Sequence, residues 1–261
     1  MGDHGIMLLK SFFRRIVPDR YHPQAQRIYF TLRSLWYLGH RFTCPCCDGH
    51  FRTFLPFGVR GRLNAQCPRC GSLERHRLLW LYLTDRTSFF KDKLKVLDIA
   101  PMPYFARRFK TLPNLSYVDA DIVSPSVTIR LDITTMPLLD NQFDCIICYH
   151  VLEHVLDDRS AMRELFRVLK PRGWAILQSP IDETRKRTFE DPSVIVPEDR
   201  ERIFGQGDHV RIYGLDYRGR LQNTGFTVKV DDYIKKLPNN LVKKYGLEEN
   251  EKIYLCIKPG F

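Results

Sequence analysis

Apolar and polar positions follow a regular order along residues 141–178, NQFDCIICYHVLEHVLDDRSAMRELFRVLKPRGWAILQ. The order predicts a buried strand, a polar turn, an amphipathic helix that ends in residues 170–173, and a second buried strand. A strand, a helix and a strand in this order form one βαβ unit of a mostly parallel sheet.

The pattern continues on both sides of this unit, so the sheet has further strands. Apolar runs predict, in chain order, a strand at 95–99, a helix near 104–110, strands at 115–120 and 127–131, and, after the βαβ unit, a helix at 215–223 and a terminal hairpin of 227–230 with 253–258. The charged stretch 181–202 is interpreted as a long substrate loop, and 235–251 as a peripheral excursion. Together these elements predict an α/β fold with a doubly wound, mostly parallel sheet.

Three short strings in this region carry a resemblance to a known family: FD at 143–144, LEHV at 152–155 and RVLKPRG at 167–173. The chain resembles class I S-adenosylmethionine (SAM)-dependent methyltransferases of the type 11 group, where FD, an apolar strand, LEHV and RVLKPGG recur in that order. The resemblance implies a Rossmann-like fold, SAM as the cofactor and methyl transfer as the reaction.

The resemblance also implies where SAM binds, because the ligand of such a sheet lies beyond the carboxyl ends of its strands. The positions that match the family's cofactor-binding residues follow successive predicted strands: Asp98, Ala100, Pro101, Asp121, Asp132, Ile133, Tyr149 and His150. In the family an acid at the position of Asp121 binds the ribose hydroxyls, since a carboxylate accepts two hydrogen bonds from a diol. Its place at the strand end favours Asp121 over Asp119, although both also suit solvated turn residues.

The remaining positions match the adenine and the reactive end of the cofactor. The acid at Asp132 corresponds to the one that meets the adenine amino group, and Ile133 to the side chain that packs on the ring. Tyr149 and His150 match positions near the sulfonium. The departure from the family is at residues 100–103, Ala-Pro-Met-Pro, where class I methyltransferases have a glycine-rich turn that lets the backbone approach the cofactor.

Cysteines are concentrated in the N-terminal third, where they form two short motifs. Cys44, Cys47, Cys67 and Cys70 have the spacing C-x2-C-x19-C-x2-C, which is typical of tetrahedral zinc sites. The residues between the motifs, at 51–55 and 62–66, are expected to form a hairpin, so the segment is interpreted as a structural zinc ribbon. Disulfides or free thiols are the alternative, and Cys46 is an additional thiol that could replace a neighbour as a ligand.

A helix at 73–84, which Ser72 could cap, is expected to follow the second cysteine motif. Its first turn has Glu74, Arg75, His76 and Arg77, which suit either the binding of an anionic substrate or partner, or a solvated face.

Charge separates the N-terminal third from the rest of the chain. Residues 1–93 contain 16 Lys and Arg against 6 Asp and Glu, a net charge of +10, whereas residues 94–261 contain 25 against 24, a net charge of +1. Arginine alternates there with aromatic side chains such as Phe12, Phe13 and Tyr21, a mixture suited to phosphate contacts and base stacking. RNA is therefore one candidate partner, and a solvated surface is the alternative.

Candidate catalytic residues are His154, after the predicted strand 143–148, and Asp208, His209 and Arg211, in a loop with glycines at both ends. Asp208 and His209 could act as an acid and base pair and Arg211 could anchor an anionic substrate. The alternative is a salt-bridged connection that caps Asp216 or Glu201.

The spacing of His150, Glu153 and His154 also resembles E-x-x-E-H in ubiquinone-biosynthesis O-methyltransferases, where the three residues bind a divalent metal. A structural helix start is the other interpretation.

The sequence therefore predicts three regions: a basic aromatic helical segment at 1–40, a zinc ribbon and linking helix at 41–90, and a methyltransferase domain at 94–261. The expected reaction is methyl transfer from SAM to an oxygen or nitrogen acceptor, in RNA, a saccharide or a small metabolite. The alternative is a non-catalytic RNA-binding protein on a degenerate methyltransferase scaffold. Without an apolar run of about 18 to 20 residues, a cytoplasmic protein with no membrane span is expected.

Overall fold

The computed structural model describes residues 22–58 and 61–260, and their side chains from residue 28 onward. The chain forms two compact units. Unit 1 consists of residues up to Trp80 together with Pro238–Glu248, and unit 2 of Leu81–Leu237 and Glu249–Phe261. The predicted helical character of residues 1–21, with Phe12, Phe13 and Tyr21, lies outside the described residues.

Unit 1 is built from short elements around the two cysteine motifs. They are α1 (His22–Leu35), β1 (Leu38–Cys44), β2 (Gly49–Phe51), β3 (Leu55–Phe57), β4 (Arg62–Gln66) and the start of α2 (Glu74–Arg86). β1 pairs with β2 and β3 pairs with β4, both antiparallel. The expected hairpin between the motifs is therefore present, but its first strand begins at Leu55, because residues 49–51 pair back onto the strand that enters the first motif.

Unit 2 contains a seven-stranded sheet with helices. In chain order its elements are β5 (Leu94–Ile99), α3 (Pro103–Phe109), β6 (Leu115–Asp121), β7 (Ile129–Arg130), β8 (Phe143–Tyr149), α4 (Asp158–Val168), β9 (Leu169–Gln178), β10 (Phe189–Glu190), α5 (Pro197–Phe204), β11 (Arg211–Ile212), α6 (Tyr217–Gln222), β12 (Thr227–Asp231) and, after α7 (Asn239–Tyr245) in unit 1, β13 (Ile253–Ile257). The strand order is β12-β13-β9-β8-β5-β6-β7. β13 is antiparallel to β9 and β12, and the other pairs are parallel, which confirms the predicted doubly wound sheet.

The strand order places a ligand cleft at one edge of the sheet. Chain order reverses between β5 and β8, and in an open α/β sheet a ligand binds outside the carboxyl ends of the strands at such a reversal. The apolar core lies beneath it, with Leu97, Ile146 and Leu177 of the central strands fully buried against Met162 and Leu165 of α4.

Helix α4 begins as its sequence suggests but ends earlier than predicted. The Asp157 carboxylate accepts a hydrogen bond from Ser160 N at 2.9 Å and caps the helix. The helix ends at Val168, and residues 170–173 belong to β9. Pro171 explains the difference, because a proline forces the residue before it toward extended backbone and cannot continue the helical hydrogen bonds.

The stretch 181–202 is more ordered than the predicted loop. It contains β10, which pairs antiparallel with β11, and most of α5. A bridge between Ile181 and Tyr213 ties the start of the stretch to the residue after β11. The two ends of this excursion are therefore held together by backbone pairing.

The predicted peripheral excursion 235–251 is instead part of unit 1 along most of its length. Its helix α7 packs against β1. The fully buried Arg77 donates to Tyr245 O at 2.6 Å and Gly246 O at 2.7 Å, and also to the carbonyls of Ala65 and Ser72. Arg77 thus joins distant segments of unit 1 and is not part of a solvated face.

The described helices are short. The longest are α1, with 14 residues, and α2, with 13. No helix in the described part of the chain is long and apolar enough to cross a membrane.

Candidate active site

The residues predicted to bind the cofactor lie along one edge of the sheet in unit 2. Ala100 directly follows β5, Asp121 is the last residue of β6, and Tyr149 is the last residue of β8. Because β5 pairs in parallel with both β6 and β8, these three strand ends are adjacent. The structure therefore brings together positions that are some 20 to 30 residues apart in sequence, at the reversal of strand order.

The turn after β5 has the backbone conformation of a glycine turn without a glycine. Ala100 has φ +48°, in the left-handed region, and its N–H donates to Ala120 O at 2.7 Å. Pro101 follows, and α3 begins at Pro103, where the missing N–H costs nothing. His150, after β8, also has a positive φ, +58°. Strained residues of this kind are concentrated at functional sites.

Asp98 is buried beneath this turn and is chemically unusual. Its Oδ2 accepts a hydrogen bond from the Tyr117 hydroxyl at 2.7 Å. Burial raises the pKa of Asp98 to about 7, although the hydrogen bond from Tyr117 opposes the shift and the charge of Asp119 adds to it. Asp98 therefore exchanges its proton near neutrality, and a cation bound beside it would favour the ionised form.

Asp121 and Asp132 each order their own turn with one carboxylate oxygen. Asp121 Oδ1 accepts from the N–H groups of Val123 and Ser124, at 2.7 and 2.8 Å. Asp132 Oδ1 accepts from Thr134 N and Oγ1, both at 2.8 Å. Each aspartate thus fixes the end of its strand while Oδ2 makes no hydrogen bond to a described residue. For each aspartate this geometry is compatible with two roles, that of a turn residue and that of a ligand contact.

Asp119, the alternative to Asp121, is occupied within the fold. It accepts a hydrogen bond from Thr128 N at 2.8 Å and pairs with Lys110 at 2.7 Å. The carboxylate is almost completely buried between these partners. Ile133, the predicted adenine contact, is also buried.

A carboxylate and two imidazoles form a cluster beyond the end of β8. Glu153 and His154 lie in a short 3-10 helix, Leu152–His154, that follows the strand. Glu153 is 2% exposed, and its Oε2 accepts a hydrogen bond from Ser179 Oγ at 2.9 Å. Its Oε1 lies 3.3 Å from His150 Nδ1 and 4.0 Å from His154 Nε2. Burial raises the pKa of Glu153, but His150 and then His154 outweigh burial and lower it below its usual value.

The loop after α5 supplies the rest of the cluster. His154 Nδ1 lies 3.2 Å from Asp208 O and 3.3 Å from Asp208 Oδ2. The His209 ring packs edge-on against His154, with 4.7 Å between centroids, and burial lowers the pKa of His209. Asp208 is therefore the partner of His154, whereas the sequence suggested a pair of Asp208 with His209.

Arg211, predicted to anchor a substrate, is instead buried within the fold. Its guanidinium pairs with Glu190 at 3.0 Å and donates to Leu152 O and Leu156 O, both at 2.8 Å, and to Val155 O. These contacts hold the 3-10 helix against β11. Arg211 is therefore part of a salt-bridged connection, as the alternative interpretation had it, but its carboxylate partner is Glu190 and not Asp216 or Glu201.

From the sequence, Glu153 was considered only as one ligand of an alternative metal site, and Ser179 was not identified. Their positions after predicted strands could have indicated them. Glu153 follows the buried strand β8 by four residues, and Ser179 directly follows the neighbouring strand β9. Parallel neighbours bring such residues together.

Comparison with known proteins identifies the family of the chain. Residues 88–177 match the family model described as a methyltransferase domain. Over 233 residues the chain is 30% identical to the ubiquinone/menaquinone biosynthesis C-methyltransferase of Klebsiella pneumoniae subsp. pneumoniae, an alignment that covers 83% of this chain and 82% of the relative. The chain belongs to the class I SAM-dependent methyltransferases.

Two further similar proteins are a curated relative and a solved structure. The C-methyltransferase of the same name from Klebsiella pneumoniae strain 342 is 30% identical to this methyltransferase over 226 residues, covering 80% of this chain and 79% of the relative. The solved structure of the YcgJ protein from Bacillus subtilis superposes with a TM-score of 0.48 and 17% identity, over 72% of this chain and all of that chain.

The methyltransferase also has a four-thiol cluster in unit 1. The Sγ atoms of Cys44 and Cys70 are 3.6 Å apart, and those of Cys47 and Cys67 are 3.7 Å apart. All four lie within 4.8 Å of one another. Four sulfurs at about 2.3 Å from one zinc ion would lie about 3.8 Å apart at tetrahedral corners, so the donor set fits zinc.

Two neighbours of this cluster differ from what the sequence suggested. Cys46 Sγ points to His76 O, at 3.8 Å, and is not among the four clustered thiols. The Ser72 hydroxyl lies 3.2 Å from the Sγ atoms of Cys44 and Cys70. Ser72 thus contacts the sulfurs, and α2 begins two residues later, at Glu74.

Proposed function

We propose that this methyltransferase transfers the methyl group of SAM to a small acceptor with an ionisable hydroxyl, either at that oxygen or at a ring carbon that the oxygen activates. The cluster of Glu153, His154 and His209 beyond β8 is the observation that supports it. A carboxylate and imidazoles at this place suit the removal of a proton from an acceptor beside the cofactor.

The cofactor-binding residues support the first part of the proposal. SAM, when bound, supplies a methyl group on a sulfonium, which is a strong electrophile. Asp121 is proposed to hold the ribose hydroxyls with its Oδ2, and Asp132 the adenine amino group beside Ile133. The Ala100–Pro101 turn would accept the methionyl part, with Asp98 beneath it, and Tyr149 and His150 would border the sulfonium.

The ionised hydroxyl explains why oxygen and carbon acceptors are proposed together. Loss of the hydroxyl proton leaves an electron pair on oxygen, which in a phenol is shared with the ring carbons. This pair, on oxygen or on the ring carbon, forms the new bond to the methyl carbon while the carbon–sulfur bond breaks and its electrons remain on sulfur. After transfer to carbon, the methylated ring carbon loses its own hydrogen as a proton to water, the aromatic ring is restored and the oxygen takes up a proton. The relatives named as C-methyltransferases support the carbon acceptor, which extends the oxygen or nitrogen acceptor expected from sequence.

For unit 1 we propose a structural zinc site formed by Cys44, Cys47, Cys67 and Cys70. The sulfur separations support zinc over disulfides, because two bonded sulfurs would lie about 2.05 Å apart. Four protein ligands leave no open position on the ion, so this zinc would stabilise the fold and take no part in methyl transfer.

Calorimetry with SAM and S-adenosylhomocysteine tests the cofactor site. Asp121→Ala should weaken both by about 30-fold or more, because charge-assisted hydrogen bonds from the ribose hydroxyls to Oδ2, worth roughly 2 kcal/mol together, are lost. Asp191→Ala is the matched control, since Asp191 also orders its own turn, through Ser193, but does not end a strand of the central sheet. Equal affinities for the two variants would contradict the assignment of Asp121.

Transfer of a labelled methyl group tests the acceptor. We expect label from SAM to appear in phenols or hydroquinones of a small-molecule panel, with the product carbon or oxygen identified by NMR. Structured RNA and glycosides serve as competing acceptors. Label in RNA alone would contradict the proposed acceptor, and RNA binding without SAM binding would favour the non-catalytic alternative.

A further inference from the structure

We propose that Glu153, His154 and His209 bind one divalent first-row transition metal ion. Each offers one ligand atom, and the three atoms lie within 4.8 Å of one another. Two atoms that bind one ion at about 2.1 Å each lie at most about 4.2 Å apart, so small side-chain rotations suffice to close the site. Within the described residues, the other group of donors that could hold a metal ion is the four-thiol cluster of unit 1.

The first support is an unsatisfied oxygen. Glu153 Oε1 is buried and accepts no hydrogen bond from any described residue, while Oε2 accepts one from Ser179. The nearest described nitrogens are His150 Nδ1 at 3.3 Å, whose approach lowers the pKa of the Glu153 carboxyl, and His154 Nε2 at 4.0 Å. A buried carboxylate oxygen in this state is costly unless a cation or donor meets it, and a metal ion is such a cation.

The second support is the orientation of His154. Its Nδ1 faces the Asp208 carbonyl and carboxylate, at 3.2 and 3.3 Å. When Nδ1 carries the proton, Nε2 has a free lone pair, and Nε2 is the atom that faces Glu153 Oε1. A carboxylate or carbonyl behind a histidine in this way fixes the tautomer and ring orientation of metal-binding histidines.

The third ligand comes from a distant part of the chain. His209 is 7% exposed and packs against His154, while Val210 N donates to Glu153 O at 3.0 Å and holds the loop in place. His150 also approaches Glu153, but it does not belong to the set of mutually close donors. The site thus differs from the triplet His150, Glu153 and His154 that the spacing in sequence suggested.

The donor set indicates the class of metal. Two imidazoles and one carboxylate suit Zn²⁺, Mn²⁺, Fe²⁺ and Co²⁺, and three protein ligands leave positions open for another molecule. This inference rests on the proposed function in one respect: a hydroxyl bound at an open position would lose its proton more easily, since a divalent ion lowers the pKa of a bound hydroxyl. With a metal ion bound, His154 and His209 would act as ligands in place of the base role given above, and the hydroxyl proton would pass to solvent water.

Manganese binding tests the site without reference to activity. Protein with one zinc per chain, verified by elemental analysis, is titrated with Mn²⁺, and the loss of the free-ion EPR signal is measured. Mn²⁺ prefers oxygen and nitrogen ligands, so the thiolates of unit 1 do not compete. We expect one Mn²⁺ per chain, at least about 100-fold weaker binding in His209→Gln and Glu153→Gln, and about 10-fold weaker binding in Asp208→Asn, whose carboxylate acts through His154.

His150→Asn is the control, because asparagine tolerates the left-handed backbone at this position. It should bind Mn²⁺ like the unaltered protein. The inference is overturned if the unaltered protein binds no Mn²⁺ at millimolar concentration, or if His150→Asn loses Mn²⁺ while His209→Gln retains it. Near-UV circular dichroism and hydrogen exchange on β5 and β8 peptides of each variant confirm that the fold persists.

The same samples distinguish this inference from the proposed function. SAM binding and methyl transfer by protein that binds no Mn²⁺ would overturn the metal site and leave the proposed function intact. Mn²⁺ binding with the expected pattern of variants, in protein that transfers no methyl group to hydroxyl acceptors, would support the site and contradict the proposed function.

Discussion

The two units differ in the structural features that can stabilise them. Unit 2 has a seven-stranded sheet whose central strands are almost completely buried against apolar side chains. Unit 1 has two separate two-stranded sheets and a four-thiol cluster at their ends. A two-stranded sheet is marginally stable by itself, so we expect unit 1 to depend on the zinc ion proposed for it, whereas the core of unit 2 stabilises that unit without a metal.

Buried charge shows the same contrast. In unit 1 the guanidinium of Arg77 is fully buried and binds backbone carbonyls, so its role is to hold the chain together. In unit 2 the buried Asp98 and Glu153 lie at the end of the sheet where a ligand is expected. The comparison teaches that buried charge is structural where backbone groups satisfy it, and a candidate for chemistry where an atom is left unsatisfied.

Removal of one zinc ligand should have the largest effect, and only in unit 1. Structural zinc contributes about 10 to 16 kcal/mol in small domains, which matches or exceeds the whole stability of such a unit. We therefore expect Cys67→Ser to unfold unit 1 while β5 and β8 of unit 2 keep their protection. Hydrogen exchange measured on separate peptides by mass spectrometry reads the two units independently.

Cys46→Ser is the matched control for this experiment. Cys46 is buried like Cys67 but lies outside the four-thiol cluster. Loss of a small buried thiol alone should cost about 1 kcal/mol. Similar effects of the two substitutions would show that the cysteines of unit 1 serve as core residues and would remove the contrast between the units.

Asp98 should make the stability of unit 2 depend on pH. Its pKa is about 7 in the folded chain and about 3.9 in an unfolded one, so between these values the folded state keeps a proton that the unfolded state releases. The free energy of unfolding should therefore fall as pH rises from about 4 to about 7, by on the order of 4 kcal/mol.

Asp98→Asn removes this ionisation and isolates the effect. Urea unfolding of unit 2, followed by pulsed hydrogen exchange on β5 peptides at about pH 5 and about pH 8, should show the fall in the unaltered protein and a smaller one in the variant. If both proteins lose the same stability over this range, Asp98 does not carry the pH dependence.

Arg77→Met should destabilise unit 1 by about 3 kcal/mol, because methionine fills similar volume but leaves buried carbonyls without a donor. Arg52→Met, at an exposed arginine of the same unit, is the control. Hydrogen exchange in unit 1 peptides measures both. A loss of protection in β1 and α7 with Arg77→Met alone is expected, and equal changes would contradict the role given to Arg77.

Much of this architecture follows from local sequence patterns. Strand positions, the cap at Asp157 and the four-thiol spacing were predictable, because neighbouring residues determine each of them. The boundary between α4 and β9 was predictable in principle, since Pro171 marks it. The sequence prediction nevertheless continued the helix into residues 170–173.

The candidate site was less predictable, because it depends on contacts between distant residues. His209 meets His154 across 55 positions, and Arg77 meets Gly246 across 169. Nothing local to Arg211 shows that it is buried beside Glu190. The sequence therefore indicated which residues carry chemistry at the sheet edge, but not which pairs of them meet.

The smallest expected effect concerns Ala100, where unit 2 keeps a glycine-like turn without glycine. The left-handed conformation costs alanine about 1 to 2 kcal/mol, while glycine loses about 0.4 to 1 kcal/mol more chain entropy on folding. Ala100→Gly should therefore stabilise unit 2 by at most about 1 kcal/mol and leave SAM affinity unchanged. Ala100→Val, with a branched side chain at the same positive φ, should destabilise unit 2 and weaken SAM binding. Urea unfolding measures the stability of both variants, and calorimetry measures their SAM affinity. A loss of SAM binding in Ala100→Gly would mean that the alanine methyl group contacts the cofactor, in addition to the contribution of the backbone conformation.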